Sequence, residues 1–462
     1  LEMLKASADS NIRFISFPNY NSASGEIIKD YLSGKFCEEN GRTGAYTAGS
    51  FYAIDRYISY KTDWEKDYKA GKTIIAARYT SSNAIYQMAK LEKSEWDEYL
   101  EWLEDYEYDK FAIPRPERIV FLDMPVEVSQ KLLSARYGGD EAKKDIHESS
   151  RSYLEACRAS ALYAAERFGC RAYTDFEVML EQEKPDVVHI CTPHYLHAPL
   201  ACLAMEQGCH VLTEKPMAIA LADARRMLDT AAATGRTLGV IFQNRYNAGS
   251  QLIRRCLDNG DLGEVRAARV LLTWDRSPEY YSQSDWKGTW DKEGGGVIID
   301  QAIHTLDLMR WFIGRPVTGV QASLANRTHP DIPVEDTAEG RVEFEGGAYG
   351  AFYVMNHYCT DEPVRLELAC TRGKAVMEGP KARVELNNGL TCLADNDPTQ
   401  MFEYGDVKQY WGTSHVKQIG NFYQSLLGLA PMYVTAENAF LTQEMICALY
   451  EHGRRHFVRE VR

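Results

Sequence analysis

The chain has 462 residues, of which 45% are hydrophobic and 26% charged, with a net charge of -14 at neutral pH. This is an ordinary globular composition, and its acidic balance excludes a general affinity for nucleic acid or anionic membranes, both of which need basic surface. At about one domain per 150 residues, roughly three domains are expected. No apolar run approaches the ~18 residues of a membrane span, and "LEMLKASADS" lacks a signal peptide's apolar core. The eleven cysteines include no CxxC pair, which predicts reduced thiols in a cytoplasmic protein. Because the chain opens on Leu1 instead of Met, its true start is expected to lie ahead of Leu1.

In chain order, "NIRFISF", "TIIAARY" and "RIVFLDM" are short β-rich runs separated by helical patterns. Such alternation predicts parallel strands with crossover helices. Between the last two, "SEWDEYLEWLEDYEYDK" sets Trp96, Tyr99, Leu103 and Tyr106 at helical spacing, predicting an amphipathic helix with a solvated acidic face. Gly71-Lys72-Thr73 comes nearest to the phosphate loop GxxxxGK[ST]. Lys66 stands where its first glycine would be, and no strand precedes it, so it reads as a helix-to-strand turn.

The stretches "NIRFISFPNYNSASGEIIKDYLSGKF", "SFYAIDRYISYKTDW", "IIAARYTSSNAIYQM" and "VFLDMPVEVSQKLLSARYGGDEAKKDIHE" together resemble the thymidylate kinases over residues 10–168. The resemblance implies that Phe17 stacks near a thymine, that Arg56 and Arg78 hold the monophosphate and that Gln87 reads the base edge. Arg136, Lys143 and Lys144 would lie on a lid over ATP. Guanidinium forks suit phosphate oxygens. The departures are the missing phosphate loop with its preceding strand, the missing final strand, and Ala77 where many members carry an acid. Phosphoryl transfer rests on positioning and charge stabilisation, so no kinase turnover is expected unless residues ahead of Leu1 restore the loop, with ATP and Mg²⁺ as cofactors only in that case.

Further along, "PDVVHICTP", "CHVLTEKP" and "TLGVIFQNRY" repeat the βαβ alternation. After Asn247 the pattern changes. "EVRAARVLLTW", "GVQASLANRT", "EGRVEFEGGAYGAFYVMNHY", "VRLELACTRGKAVMEG" and "ARVELNN" alternate apolar and polar residues, which predicts an open antiparallel sheet with one covered face. The fold class is therefore α/β followed by α+β. It comprises a partial parallel sheet like that of phosphate-loop kinases over 1–162, a truncated Rossmann dinucleotide-binding domain over 163–246, and an α/β domain with the antiparallel sheet over 247–462.

"GGGVIIDQAIHTLDLMRWFIG" carries Asp300, His304 and Asp307 at i, i+4 and i+7, one face of a helix, behind glycines that would let a substrate approach the helix N-terminus. "TEKPM" sets Glu214 and Lys215 at the C-terminal end of a buried strand, where open α/β sheets bind ligands. Imidazole, carboxylate and ammonium together suit alcohol oxidation: a base takes the hydroxyl proton, the lysine steadies the alkoxide, and hydride leaves to a nicotinamide.

With "DVVHICTPHYLHAPLA", "GVIFQNRYN" and "SDWKGTW", these motifs resemble the glucose–fructose oxidoreductase/inositol dehydrogenase (Gfo/Idh/MocA) family over residues 160–455. The resemblance implies that Lys215, Asp300 and His304 are catalytic and that Thr192, Pro193, His197 and Glu214 line the nicotinamide and ribose. Gln243, Asn244, Arg245 and Trp286 would border a sugar, cyclitol or nucleotide-sugar substrate. NAD and NADP both remain open as cofactor, and homo-oligomerisation through the C-terminal sheet is implied. His194 and His197 have no further ligands beside them, so no metal is expected.

The family's opening strand, GxGxxG turn and ribose-binding acid do not occur upstream of Tyr163. Strand "VVHIC" is then expected either to pair with a strand of the first block in a hybrid sheet or to leave an exposed edge. The kinase-like and dehydrogenase-like readings overlap on "YAAERFG", residues 163–169, as two frames joined through a short similar stretch would. The expected function is a nicotinamide-dependent sugar or polyol oxidoreductase impaired in cofactor binding. The alternatives are a thymidylate kinase and an inert chimera that binds a sugar or thymidylate.

Overall fold

In the first of two units, strands β1 (Ile12–Ser16) and β2 (Thr73–Ala77) pair in parallel, from Ile12 opposite Thr73 to Ser16 opposite Ala77. The computed structural model describes residues 12–19, 22–36, 44–117, 151–169, 173, 175–282, 284–397 and 414–459. These divide at Thr174/Asp175 into two compact units. The expected strand "RIVFLDM" and the lid residues Arg136, Lys143 and Lys144 lie outside the described residues. Helices Ala23–Leu32 and Ala45–Ser59 stand between the two strands in sequence. The first of them is capped by Ser22, whose Oγ accepts from the Gly25 amide at 3.0 Å.

Helix Trp96–Glu104 buries Trp96, Tyr99, Leu100 and Leu103, in keeping with the apolar spacing. The next residues depart from it. Asp105–Lys110 form a π turn, and Glu107, expected on the solvated acidic face, is fully buried. A π turn holds an extra residue and so shifts which side chains point inward. Arg56 meets the carboxylate there with a bidentate pair, both contacts at 2.6 Å.

In the second unit, β3 (Val187–Ile190), β4 (His210–Thr213) and β5 (Leu238–Val240) form a parallel sheet. Helices His194–Glu206 and Leu221–Thr234 make its crossovers. Among the described residues β3 pairs with β4 alone and forms the sheet edge, so no hybrid sheet is seen there. Val188 and Ile190 nevertheless pack into the core with Ala198, Ala201 and Met205. What the edge leaves open is backbone.

The larger sheet has nine strands: β6 (Val265–Thr273), β7 (Val317–Asn326), β8 (Thr337–Phe344), β9 (Tyr349–Met355), β10 (Arg365–Cys370), β11 (Gly373–Glu378), β12 (Lys381–Leu386), β13 (Thr391–Ala394) and β14 (Val458–Arg459). Their order is β13-β12-β11-β10-β6-β9-β8-β7-β14. The expectation of an antiparallel sheet is corrected at two pairs. β6 runs parallel to β9, and β14 parallel to β7. Apolar alternation reports which side chains face a core but not the direction of the neighbouring strand. The chain leaves β6 through helix Ile303–Ile313 and the β7–β8 hairpin before β9 returns beside it, and such a long crossover permits parallel pairing. Helices Ile303–Ile313 and Ala436–Arg454 pack against this sheet. Among the described residues no helix is long and apolar enough to cross a membrane.

Candidate active site

Strand β4 delivers Thr213 to the sheet's C-terminal edge, and Glu214, Lys215 and a cis Lys215–Pro216 peptide follow. Lys215 Nζ donates to Asp300 Oδ1 at 3.1 Å and to the Asp300 carbonyl at 2.8 Å. Asp300 stands on a π turn, Ile298–Ala302, that runs into helix Ile303–Ile313 with His304 in its first turn. The expected single α-helical face is therefore interrupted, and Asp307 leaves the set. It accepts a bidentate pair from Arg245 at 2.6 and 2.7 Å.

The second oxygen of Asp300 accepts from the Tyr280 hydroxyl at 2.5 Å and from Gln301 Nε2 at 2.6 Å. Burial opposes ionisation of Asp300, but Lys215 and Lys287, aided by the Tyr280 hydroxyl, outweigh it and hold the carboxyl well below the usual range. Burial, and then Lys215, push His304 well below an ordinary imidazole. A neutral imidazole thus stands in the same site as an ionised carboxylate and an ammonium group. Burial, followed by the charge of Lys215, also lowers His194 to about 3. Its ring lies 4.8 Å from Trp286, and its Nδ1 lies 2.9 Å from the Glu293 carbonyl.

The glycines ahead of Asp300 do a different job from the one expected. A Cβ on Gly295 would fall 2.1 Å from the Tyr450 hydroxyl oxygen, and one on Gly296 would fall 1.9 Å from the Glu335 carbonyl oxygen. They make room for protein, not for substrate. Glu335 occupies the position expected for a ligand, accepting from the amides of Gly296 at 3.0 Å and Ile298 at 3.1 Å and from the Tyr450 hydroxyl at 2.7 Å.

Thr192 follows β3, and Pro193 is the N-cap of helix His194–Glu206. His197 is fully buried, with Nε2 2.8 Å from the Thr192 carbonyl and Nδ1 2.7 Å from the Pro216 carbonyl. It bridges the loops after β3 and β4, and a neutral ring donates to only one of the two. Its expected place against a nicotinamide is corrected on that ground. Glu214 lies 3.7 Å from His415 Nε2. Arg245, expected to border substrate, is corrected too. It is buried between Asp307 and Asn438, and its fork is spent on them. Thr192 Oγ1, Gln243 Oε1 and Asn244 Oδ1 are buried without a hydrogen-bond partner among the described residues. Buried polar groups left open in this way are available to a polar ligand, Thr192 on the side expected for the cofactor and Gln243 and Asn244 on the side expected for the substrate. Trp286 reaches the site through His194, as above.

Tyr280, Lys287 and His415 complete the surroundings and were not singled out from the sequence. The first two sit in "SPEYYSQSDWKG", where paired tyrosines ahead of a motif lysine were the available signal. His415 had none. Among the described residues no three His, Cys, Asp or Glu side chains gather as a metal set.

In the first unit Phe17 is buried, 5.8 Å from the Tyr79 ring. Gln87 is buried with Oε1 unpartnered among the described residues. Arg78 adopts φ 62° and lies 5.2 Å from the Tyr86 ring centroid. Arg56 is corrected as a phosphate ligand. Its fork closes on Glu107, which also accepts from Asn83 Nδ2 at 3.0 Å.

Three family models match the chain: "Thymidylate kinase" over residues 1–174, "Oxidoreductase family, NAD-binding Rossmann fold" over 145–242, and "GFO/IDH/MocA C-terminal domain" over 250–376. The first two overlap on 145–174, the stretch that holds the ambiguous Tyr163–Gly169. D-glucoside 3-dehydrogenase of Escherichia coli is 28% identical, over 62% of this chain and 83% of its own length. The 1,5-anhydro-D-fructose reductase of Ensifer adhaerens is 30% identical over 42% and 57%. Among solved structures, the WlbA dehydrogenase of Chromobacterium violaceum, in complex with NADH and UDP-GlcNAcA, is 30% identical with a TM-score of 0.53, over 64% of this chain and 84% of that one. Matched in both its Rossmann and its C-terminal portions, and at this identity across most of a solved dehydrogenase, the chain belongs to the GFO/IDH/MocA family of NAD(P)-dependent oxidoreductases and carries a thymidylate kinase domain ahead of that part.

Proposed function

We propose that the second unit oxidises a sugar or polyol hydroxyl, or reduces the corresponding ketone, with NAD(H) as hydride partner. The observation that carries this is the Lys215–Asp300 pair beside a neutral His304 at the end of β4. The sugar reading is supported by the sugar and nucleotide-sugar dehydrogenases among its relatives. Lys215 steadies negative charge developing on the carbinol oxygen, and Asp300, anchored by Tyr280, fixes the lysine. His304 takes the hydroxyl proton at a ring nitrogen. NAD, when bound, accepts the hydride, and Thr192 and Glu214 would hold its nicotinamide end.

The adenosine end has no counterpart in the sequence, since no GxGxxG occurs anywhere in it. Our reading is therefore an oxidoreductase weakened at cofactor binding, its two blocks joined as a chimera through residues 163–169. Titration with NADH, followed by nicotinamide fluorescence, tests this. Saturation only toward millimolar concentrations is expected, and micromolar affinity would refute the weakening. Replacing His304 by Ala should abolish hydride transfer in a sugar and cyclitol screen, and an undiminished rate would overturn the assignment. A second reading, thymidylate kinase activity with ATP and Mg²⁺, is favoured by the family-model match to residues 1–174 and rests on a phosphate loop ahead of Leu1. ADP formation with thymidine monophosphate tests it.

A further inference from the structure

The connection from β7 to β8, residues 326–336, builds a charged cluster that the roles assigned above do not use. Asn326 staples it. Its Nδ2 donates to the Ile332 and Val334 carbonyls at 2.9 and 2.8 Å, and its Oδ1 accepts from the His329 amide at 3.2 Å. Asp336 is fully buried. It accepts from the amides of Arg327 at 3.0 Å and Thr328 at 2.8 Å, and from the hydroxyls of Thr328 at 3.1 Å and Thr337 at 2.9 Å. Against the cost of burial, His329 and these donors hold its carboxyl well below the usual range.

His329 lies between that carboxylate and the chain that leads into the site. Its Nδ1 is 3.1 Å from Asp336 Oδ2, and its Nε2 is 2.7 Å from the Arg276 carbonyl oxygen. Both partners are acceptors, so both ring nitrogens carry a proton; a neutral ring would set a lone pair against one of them. Thr328 Oγ1, 3.4 Å from Nδ1, donates to Asp336 instead. Burial opposes a charge on the ring, but Asp336 and the Arg276 carbonyl, aided by Asp275, outweigh it and raise its pKa. Around this pair, His357 lies 3.8 Å from the other oxygen of Asp336, and the Arg276 guanidinium is paired with Asp361 at 3.0 Å. Burial keeps the Tyr281 phenol protonated.

The His329 ring has a second contact, edge-on to Tyr281 with centroids 5.2 Å apart. Arg276 and Tyr281 bracket Tyr280 in the chain, and both tyrosines belong to the short helix Pro278–Ser282. Tyr280 anchors Asp300 directly. Tyr281 reaches the same carboxylate through two amides: Asn356 Nδ2 donates to its hydroxyl at 2.5 Å and to Gln301 Oε1 at 3.2 Å, and Gln301 Nε2 donates to Asp300.

We propose that His329, as an imidazolium, is a positioning residue for hydride transfer: it clamps residues 276–281 so that Tyr280 stays on Asp300, and its deprotonation releases the clamp. This rests on the oxidoreductase reading above and adds control of turnover from a loop that carries none of the catalytic groups. A histidine whose folded pKa is raised gives its full stabilisation below the unfolded value, about 6.5, and loses it as pH climbs through the folded one. Turnover therefore falls on the alkaline side.

Hydrogen-exchange mass spectrometry of the full chain between pH 6 and 9, corrected for the intrinsic pH dependence of exchange, reads the clamp without substrate. Protection of residues 276–282 is expected to fall as pH rises; in His329→Gln it should be low at pH 6 and stay so. Hydride transfer, with whichever sugar or cyclitol the screen returns, should drop about tenfold over the same range at unchanged KM, and His329→Gln should lack the drop. Because both changes act through one contact, His329→Gln should cost Tyr280→Phe no further turnover. Protection that ignores pH, or an alkaline drop that persists in His329→Gln, overturns the clamp. Should melting show that variant unfolded, the wild-type midpoints of exchange and rate must still coincide, and separate midpoints overturn it equally. No turnover with any sugar sinks the oxidoreductase reading instead, and the exchange result still decides whether His329 holds the segment.

Discussion

Lys215 Nζ lies 2.8 Å from the backbone carbonyl of Asp300 and 3.1 Å from its carboxylate, so one residue on the π turn fixes the ammonium twice. A flexible lysine held at two points is preorganised for charge that develops only during reaction. Replacing Lys215 with Met is expected to slow hydride transfer by about 10²–10³-fold. It also removes a positive charge that helps keep His304 neutral. The His304 proton affinity should then rise toward that of an ordinary imidazole, and the acid limb of the rate–pH profile should move to higher pH. An unmoved limb in the residual activity would separate His304 from proton transfer.

Tyr280 acts one step further back. Its hydroxyl is 2.5 Å from Asp300 Oδ2, and burial together with that carboxylate raises its own pKa well above the usual phenol, so it stays a donor. Tyr280→Phe should lower turnover by roughly tenfold, the value of one hydrogen bond to a charged group, with KM for substrate little changed. A change confined to KM would instead place Tyr280 against the substrate.

Many helices and strands of both units were readable because each carries its own period: Val188 and Ile190 on β3 in the second unit, and Trp96, Tyr99 and Leu103 on their helix in the first, all turn inward as their spacing requires. The Lys215–Asp300 meeting was readable as chemistry from two short motifs separated by 85 residues. What escaped was information that lives between elements. The parallel β6–β9 pairing depends on a crossover, not on alternation. The π turns at 105–110 and 298–302 leave no mark in composition, and they decide that Glu107 turns inward and that Asp307 does not join Asp300. Arg56 and Arg245 look like ligand-binding arginines in sequence, and only their burial against Glu107 and Asp307 shows them holding the protein itself.

Glu335 makes stability depend on pH through the same π turn. Burial is the main influence and lifts its pKa to about 7, against the opposing pull of Tyr450 and of the Ile298 and Gly296 amides. A carboxyl whose folded pKa is raised gives its full stabilisation below the unfolded pKa, about 4.3, and loses it as pH climbs through the folded value. The second unit should therefore gain stability from this group as pH falls from 8 toward 5. Glu335→Gln, which resembles the protonated form, should be the more stable partner near pH 8 and lose that advantage near pH 5. Melting temperatures of both proteins across that range read the difference directly. A constant offset between them would show that Glu335 does not titrate there.

The Arg56–Glu107 pair sets the stability of the first unit. Both side chains are essentially without exposure, and Asn83 adds a third bond at 3.0 Å. Removing one partner strands the other as an uncompensated buried charge, a loss of about 3–5 kcal/mol. Arg56→Met or Glu107→Leu alone should thus strongly weaken amide-exchange protection across residues 44–117, while the double substitution should regain much of it, since two apolar side chains leave no orphaned charge. Hydrogen-exchange mass spectrometry on the three variants separates these outcomes. If the double variant were as unprotected as the sum of the singles, Arg56 and Glu107 would be acting independently, and Arg56 would again be a candidate for binding a phosphate.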